Sequence, residues 1–357
     1  MSKNNLFNRK NKAQLLQEHL QETFRRKTCS FYRYVKITDP KSMRNNLYQE
    51  WLGLNILGRV YLAKEGINAQ ISVPEPNWND FIFKLDNQSE FSNMHIKNAV
   101  LEGAQPFLKL IVRVKNKIVS DGINDETLDI ANVGTHLSAV EFNTAMEEPN
   151  AVVVDMRNYY ESEVGHFENA VCPDVDSFKE SLLFVKEHLD KNKDDKILLY
   201  CTGGIRCEKA SAYLKYHNFK DVNQLKGGII EYAHQIKGKN LDSKFIGKNY
   251  VFDYRMNESI TDDIISNCHQ CDTPSCRHTN CMNMACHILF IQCKKCSEKY
   301  KGCCSLECTE ISGLPIEDQR KLRKDPSKAA PLKQYKKGIK PRLKELIRER
   351  EKTNRQI

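Results

Sequence analysis

Long apolar runs are missing from this sequence. No stretch approaches the roughly 20 apolar residues that a membrane helix requires, which excludes a helical membrane protein. The N-terminus, MSKNNLFNRKNKAQLLQEHLQ, is polar and lacks the apolar centre of a secretory signal. The expectation is a cytoplasmic protein whose thiols stay reduced. No nucleotide-cofactor motif is visible, nor an internal repeat of domain size, as a solenoid would require. What is present is ordinary for a soluble chain, with 40% hydrophobic and 28% charged residues. At roughly 150 residues per domain, 357 residues predict two or three domains. Lysine and arginine exceed aspartate and glutamate by 55 to 46. The excess favours anionic partners, nucleic acid before membrane. Fourteen cysteines stand out. In a reducing compartment they argue for metal or catalysis before disulfides.

The chain reads as α/β overall. Residues 1–27 form a polar, partly helical extension. In 28–120, FYRYVKI (31–37) reads as a strand, Asp39-Pro40 opens a helix, and GRVYLAKEGINAQISV (58–73) predicts two strands turning near Glu65-Gly66. Pro76 and Asn77 lead into a second helix, and LKLIVRVKNKIV (108–119) alternates as a half-exposed strand. This β-α-β-β-α-β order predicts a ferredoxin-like α+β sandwich. Weak periodicity marks 121–147 as a connector. In 148–243, AVVVDMR (151–157) and KILLYC (196–201) read as buried parallel strands, each followed by helical stretches, which predicts a parallel-sheet domain. Residues 244–312 hold a Cys-rich module. From 313 to 357 the chain is a basic tail, with KLRK (321–324), KQYKKGIKPRLK (333–344) and REREK (348–352). It reads as a partly helical or disordered arm.

The strongest constellation is LYCTGGIRCEKAS (199–211). Cys201 follows a buried strand, at the carboxyl end where open parallel sheets put their ligand sites. Gly203 and Gly204 let the loop bend so that backbone N–H groups, with those of Thr202 and Ile205, can converge on one spot. A helix starts nearby, and its N-terminus adds positive potential, as does Arg206. Such surroundings lower a thiol pKa and favour the reactive thiolate. An inert buried cysteine is the plain alternative, but it gives no reason for the glycines, the arginine and the helix start to coincide. Cys207 reads as a packing residue, with a resolving thiol as the alternative.

Upstream lies DMRNYYESEVGHFENA (155–170), a D-x-R-x-x-x-E-x-x-x-G-H-x-x-x-A stretch, and downstream LKGGIIEYA (225–233). With the Cys loop between them, they resemble the rhodanese domain. Asp155 and Arg157 are read as an ion pair that supports the loop, and His166 as a packing residue. Loop length sorts the chemistry. Cysteine phosphatases use C-x5-R, whereas Cys201 and Arg206 stand as C-x4-R. The shorter loop resembles the sulfur-handling kind, in which the cysteine can carry a persulfide.

The cysteine block CHQCDTPSCRHTNCMNMACHILFIQCKKCSEKYKGCCSLEC (268–308) holds ten cysteines. Taken in order with KEGINAQISV and the three rhodanese segments, it makes the chain, over roughly 28–312, resemble the rhodanese-containing tRNA uridine hydroxylases. That resemblance implies oxygen-dependent formation of 5-hydroxyuridine at the tRNA wobble position, with molecular oxygen as co-substrate, the anticodon loop as partner and Cys201 as catalytic cysteine. The residues alone reach only a thiolate enzyme with an anionic partner. The thiolate could add to C6 of uracil, or an oxidised or persulfidated Cys201 could carry the transferred group, with Arg206 and the loop amides holding developing charge. The competing readings are a rhodanese-type sulfurtransferase with a persulfide intermediate, and a non-catalytic zinc- and RNA-binding scaffold.

Cys268-x2-Cys271 and Cys293-x2-Cys296 have close to zinc-ribbon spacing, and four such thiolates can surround one structural zinc. Cys276, Cys281, Cys286, Cys303, Cys304 and Cys308, with His278 or His287, are enough for a second site. Disulfides, free thiols and an iron–sulfur cluster are the alternatives. Arg113, Lys115, Lys117 and the basic tail are candidate phosphate contacts. Phe31, Tyr32 and Tyr34 could stack bases, although core packing is the expectation for that strand.

Overall fold

The alternation of apolar and polar side chains in the first hundred residues builds a mixed sheet with one dry face. The computed structural model describes residues 6–8, 10–101, 106–123, 128–329 and 342–355. After α1 (Lys12–Leu20) come β1 (Arg26–Tyr34), α2 (Pro40–Gly53), β2 (Leu57–Ala63), β3 (Gly66–Pro74), α3 (Trp78–Asp86), β4 (Lys97–Asn98) and β5 (Leu110–Val114). The sheet order is β4-β1-β3-β2-β5. Asp39 caps α2 by accepting from the backbone N–H groups of Lys41 and Ser42, with Pro40 at the first helical position. Phe31, Trp51 and Phe81 meet in the core at 5.7 to 6.3 Å between rings.

Three details of this sheet depart from the sequence reading. The first strand ends at Tyr34, because the N–H groups of Val35 and Ile37 turn to the carbonyls of Glu65 and Lys64. The 108–119 segment is a strand only over β5, and it runs parallel to β2 at one edge while the short β4 takes the other. Of the β1 aromatics only Phe31 enters the core. Tyr32 and Tyr34 face the next domain, where their hydroxyls donate to Glu208 and to the carbonyl of Ile205, at 2.8 and 3.2 Å.

The second sheet is parallel, in the order β6-β10-β9-β7. Its elements are β6 (Thr135–Leu137), α4 (Ala139–Ala145), β7 (Ala151–Asp155), α5 (Tyr159–Ser162), β8 (Gly165–Phe167), α6 (Phe178–His188), β9 (Lys196–Tyr200), α7 (Ile205–Tyr216), β10 (Asp221–Leu225) and α8 (Gly228–Lys239). Residues Ile197 to Tyr200 of β9 are fully buried because helices cover both faces of the sheet. The stretch 121–147, read as a connector, instead contributes β6 and α4. A three-residue edge strand leaves too little alternation to betray itself. At the other end β11 (Phe245–Tyr250) pairs with β8, and Phe245 packs on Phe167. The Cys-rich segment therefore begins inside the core of this domain rather than beyond it.

β12 (Asn257–Ser259) pairs with β11. A hairpin of β13 (His278–Asn280) and β14 (Leu289–Ile291) follows, then α9 (Lys294–Lys299), α10 (Leu306–Gly313), α11 (Ile316–Leu322), α12 (Pro326–Ala329) and α13 (Leu343–Arg355). The tail does not stand free over its described part. Leu343 is fully buried beside the cysteines of the hairpin, and Arg342 lies 3.8 Å from the Tyr159 ring centroid and 2.7 Å from Asp174. Most of the KQYKKGIKPRLK run falls outside the described residues. Among the described residues no helix is long and apolar enough to cross a membrane.

Candidate active site

Cys201 sits where β9 ends, fully buried. Gly204 takes a left-handed φ of +96° and caps α7, and its N–H donates to Cys201 Sγ at 3.1 Å. Burial pushes this thiol up. A hydrogen bond from Cys207, the Arg206 guanidinium and the backbone N–H groups of Cys207 and Arg206 outweigh that and bring it down to about 6. The sulfur is thus mostly thiolate at neutral pH. Cys207 is itself buried and its own thiol is pushed well up by that burial, so it stays protonated and serves as a donor.

The LKGG segment explains itself at this point. Gly228 has φ +69°, and a Cβ there would lie 2.5 Å from the Cys201 carbonyl oxygen and 2.8 Å from the nitrogens of Gly203 and Gly204. Only glycine lets the two loops close on each other. They are then stitched by the N–H groups of Ile229 and Ile230, which donate to the carbonyls of Cys201 and Thr202 at 3.0 and 3.2 Å.

Arg206 is not a free charge. Glu161, fully buried on α5, accepts from both arms of its guanidinium at 2.7 and 2.8 Å. Thr202 Oγ1 completes the group, 3.2 Å from Arg206 and 3.3 Å from Glu161. Asp155 and Arg157 form a second, fully buried pair at 2.7 Å. Arg157 also donates to the Gly165 carbonyl, and Tyr200 donates to Asp155 at 2.8 Å. The pair thereby ties the ends of β7 and β9 to β8, one step behind the Cys loop. His166 is turned elsewhere, with Nδ1 3.0 Å from the Phe167 carbonyl.

Above the sulfur lies a cavity of about 280 Å³, near the small end of the ~300–1,000 Å³ usual for ligand sites. Its walls come from three parts of the chain: the polar face of the first sheet (Tyr32, Asn68, Lys97), the Cys loop, and the segment after β11 (Phe252, Arg255). Lys97 escaped the sequence reading, since it belongs to no chemical motif, whereas Tyr32, named there as a base-stacking candidate with core packing expected, lines the cavity instead. Besides the Tyr32 and Tyr34 hydrogen bonds, an ionic cluster fastens the two domains. Lys209 of α7, almost fully buried, reaches Glu65 in the β2–β3 turn at 2.8 Å and also pairs with Asp121. Two segments quoted for the family resemblance, KEGINA and CEKAS, are therefore in contact.

The cysteines gather into two quartets. Cys268, Cys271, Cys293 and Cys296 form one, and Cys281, Cys286, Cys304 and Cys308 the other, with all sulfurs of a quartet within 4.8 Å of one another. The Cys271–Cys293, Cys286–Cys304 and Cys304–Cys308 sulfurs are each 3.6 Å apart. A tetrahedron with Zn–S bonds of about 2.3 Å has edges of about 3.8 Å, so either quartet fits zinc. Cys276 and Cys303 stand outside both. The Cys303 sulfur is instead 3.3 Å from the Ser312 hydroxyl. His278 packs edge-on against Tyr250 with rings 4.9 Å apart, and neither it nor His287 joins a quartet.

Comparison with known proteins adds the ancestry. Residues 26–118 match the UPF0176 acylphosphatase-like domain, 138–235 the rhodanese-like domain and 246–309 the rhodanase C-terminal family. A protein from Leptospira interrogans named tRNA uridine(34) hydroxylase is 54% identical over 312 residues, covering 87% of this chain and 85% of that protein. The chain belongs to the tRNA uridine(34) hydroxylase family. Members bearing that name from Enterobacter sp. strain 638 and Escherichia fergusonii are 49% and 48% identical, each over 89% of this chain and 91% of theirs. Similar solved structures include a rhodanese-like domain protein from Staphylococcus aureus (22% identity, 28% of this chain and 90% of that one, TM-score 0.23). Another is the Alr3790 protein from Anabaena (21%, 31% and 91%, TM-score 0.26).

Proposed function

We propose that this family member hydroxylates C5 of uridine 34 in tRNA, with molecular oxygen as co-substrate and Cys201 as the catalytic residue. One observation carries the reading: a sulfur held as thiolate near neutral pH lines a small, open-mouthed cavity in a chain of this family. A base paired in a duplex cannot enter such a space. An unstacked base from an anticodon loop can. In the cavity the thiolate adds to C6 of uracil, its electron pair forming the C–S bond while negative charge passes to C5 and the adjoining carbonyl oxygen. C5, now nucleophilic, bonds to one atom of molecular oxygen while an external two-electron donor carries the other atom to water. Loss of the C5 proton then expels the thiolate from C6 and restores the C5–C6 double bond. The loop N–H groups, which had held charge on sulfur, orient the attack.

The two cysteine quartets are proposed to hold structural zinc. They supply the rigidity that this small segment lacks in apolar core, and they take no part in the reaction. The place of work is the cytoplasm, where tRNA is met.

Nucleoside mass spectrometry of tRNA from cells with wild type, no enzyme or Cys201→Ala tests the assignment. Loss of 5-hydroxyuridine-derived wobble nucleosides in both defective strains is expected. Their persistence alongside a fall in a thiolated nucleoside would mean a sulfurtransferase carrying a Cys201 persulfide.

A further inference from the structure

Glu161 claims the positive charge nearest the sulfur in sequence. The Arg206–Glu161 pair has no net charge, and what it offers Cys201 is the near end of a dipole. A second cation lies in the same cavity. Lys97, on the two-residue strand β4, is only 3% exposed, and among the described residues its ammonium makes no hydrogen bond or ion pair. Its nearest defined contact is the face of Tyr32, 4.6 Å from the ring centroid. The side chain runs along the Cys loop. A Cβ on Gly203 would meet Lys97 Cε at 3.8 Å, and one on Gly227 would meet Cδ at 3.5 Å.

A buried ammonium without an anion is costly, so the groups around it decide its role. They are Cys201, Glu231, Glu208, Cys29 and Tyr32. Glu208 of α7 is already satisfied by Tyr32, Gln224 and His136, at 2.8 to 3.0 Å. Glu231 of α8 accepts from Gln235 and faces His95. Burial raises Cys29 to about 12 and raises Tyr32 far above its ordinary range, so both are neutral. The sulfur of Cys201, which has only a share in Arg206 because Glu161 holds that guanidinium, is the anion left to face Lys97.

We propose that Lys97 is the counter-charge of the Cys201 thiolate, a positioning residue that completes the reactive centre from the N-terminal sheet. Burial draws the ammonium down to about 8, and Cys201 lies near 6. The ion pair therefore exists between those two pH values and dissolves on either side. The inference rests on Cys201 as the reacting residue. If Cys201→Ala protein still hydroxylates, that reading fails. If it does not, and Lys97 variants behave as wild type, this inference alone fails.

The test is the pH dependence of Cys201 alkylation by iodoacetamide in the full-length protein, read by peptide mass spectrometry. An opposite charge within about 4–6 Å shifts an acid by about 1–3 units. Lys97→Met is expected to move the midpoint up by at least one unit and slow alkylation at pH 7 about tenfold, and Lys97→Arg to restore it. A Lys97→Met midpoint equal to wild type overturns the proposal. A second measurement leaves Lys97 in place and guards against misfolding of the variant. Acetic anhydride should label Lys97 several-fold faster at pH 7 in Cys201→Ser than in wild type, because losing the thiolate lowers the amine's pKa. Equal labelling would overturn the proposal as well.

Discussion

Glu161 holds both arms of the Arg206 guanidinium, although the two residues enter the site from different helices. The contact joins α5 to the first turn of α7, so the acidic residue of the D-x-R-x-x-x-E pattern serves the arginine of the C-x4-R loop. Removing one partner of such a pair leaves a buried charge uncompensated, at about 3–5 kcal/mol. Glu161→Gln is expected to lower stability in urea by that amount, and the double variant Glu161→Gln/Arg206→Met to recover part of it. A Glu161→Gln protein within about 1 kcal/mol of wild type would show that the pair carries no structural weight.

The lowered Cys201 pKa has a stability consequence of definite sign. The folded thiol titrates near 6 and the unfolded one near its ordinary value of 9.0, so between them the unfolded chain binds more protons. The stabilisation is complete above pH 9, shrinks as the pH falls, and is gone below about 6. Cys201→Ser lacks it. The difference in unfolding midpoint between wild type and Cys201→Ser should widen from pH 6 to 9. A constant difference would mean that the thiol is not depressed.

Metal content separates the cysteines. Two zinc ions per chain are expected from the two quartets. Cys271→Ser and Cys286→Ser should each lose one ion, measured by plasma mass spectrometry of purified protein, whereas Cys276→Ser should lose none. Because Leu343 packs on the second quartet, Cys286→Ser should also expose α13 to faster amide exchange. An unchanged zinc count in both quartet variants would rule zinc out of these sites.

Two glycines of α8 give opposite expectations. Gly228→Ala must force a Cβ to within 2.5 Å of the Cys201 carbonyl, so loss of hydroxylation and of at least 1–3 kcal/mol is expected. Gly238 has nothing within 4 Å of its Cβ position. There alanine should be neutral or stabilise by up to about 1 kcal/mol. Thermal melts and tRNA assays of the two variants side by side would expose a misreading of either position.

What could be read from the sequence was local. The Cys201 loop announces itself because strand end, glycines, arginine and helix start are consecutive. The Cys268–Cys271 and Cys293–Cys296 quartet follows from spacing for the same reason. The second quartet did not, since choosing Cys304 over its neighbour Cys303 depends on which way each sulfur points after folding. Glu161 was visible only as a letter in a pattern, its partner lying on another helix. Lys97 had no signal at all, because a two-residue strand carries no periodicity and the meaning of its ammonium depends on a loop in another domain. The alternation along β1 placed Phe31 inside, yet nothing in it said that the opposite face, with Tyr32 and Tyr34, would be covered by α7 of the second domain.

That covered face has a meaning for protein engineering. Residues 138–235 look like a cassette that a cloning scheme might lift out whole. The transplant would carry the sulfur and its glycine loops, but it would leave behind the lysine, the tyrosine and the far wall of the cavity. The portable unit is the seam between two sheets, and any graft meant to keep the chemistry must bring β1 and β4 along with the cysteine.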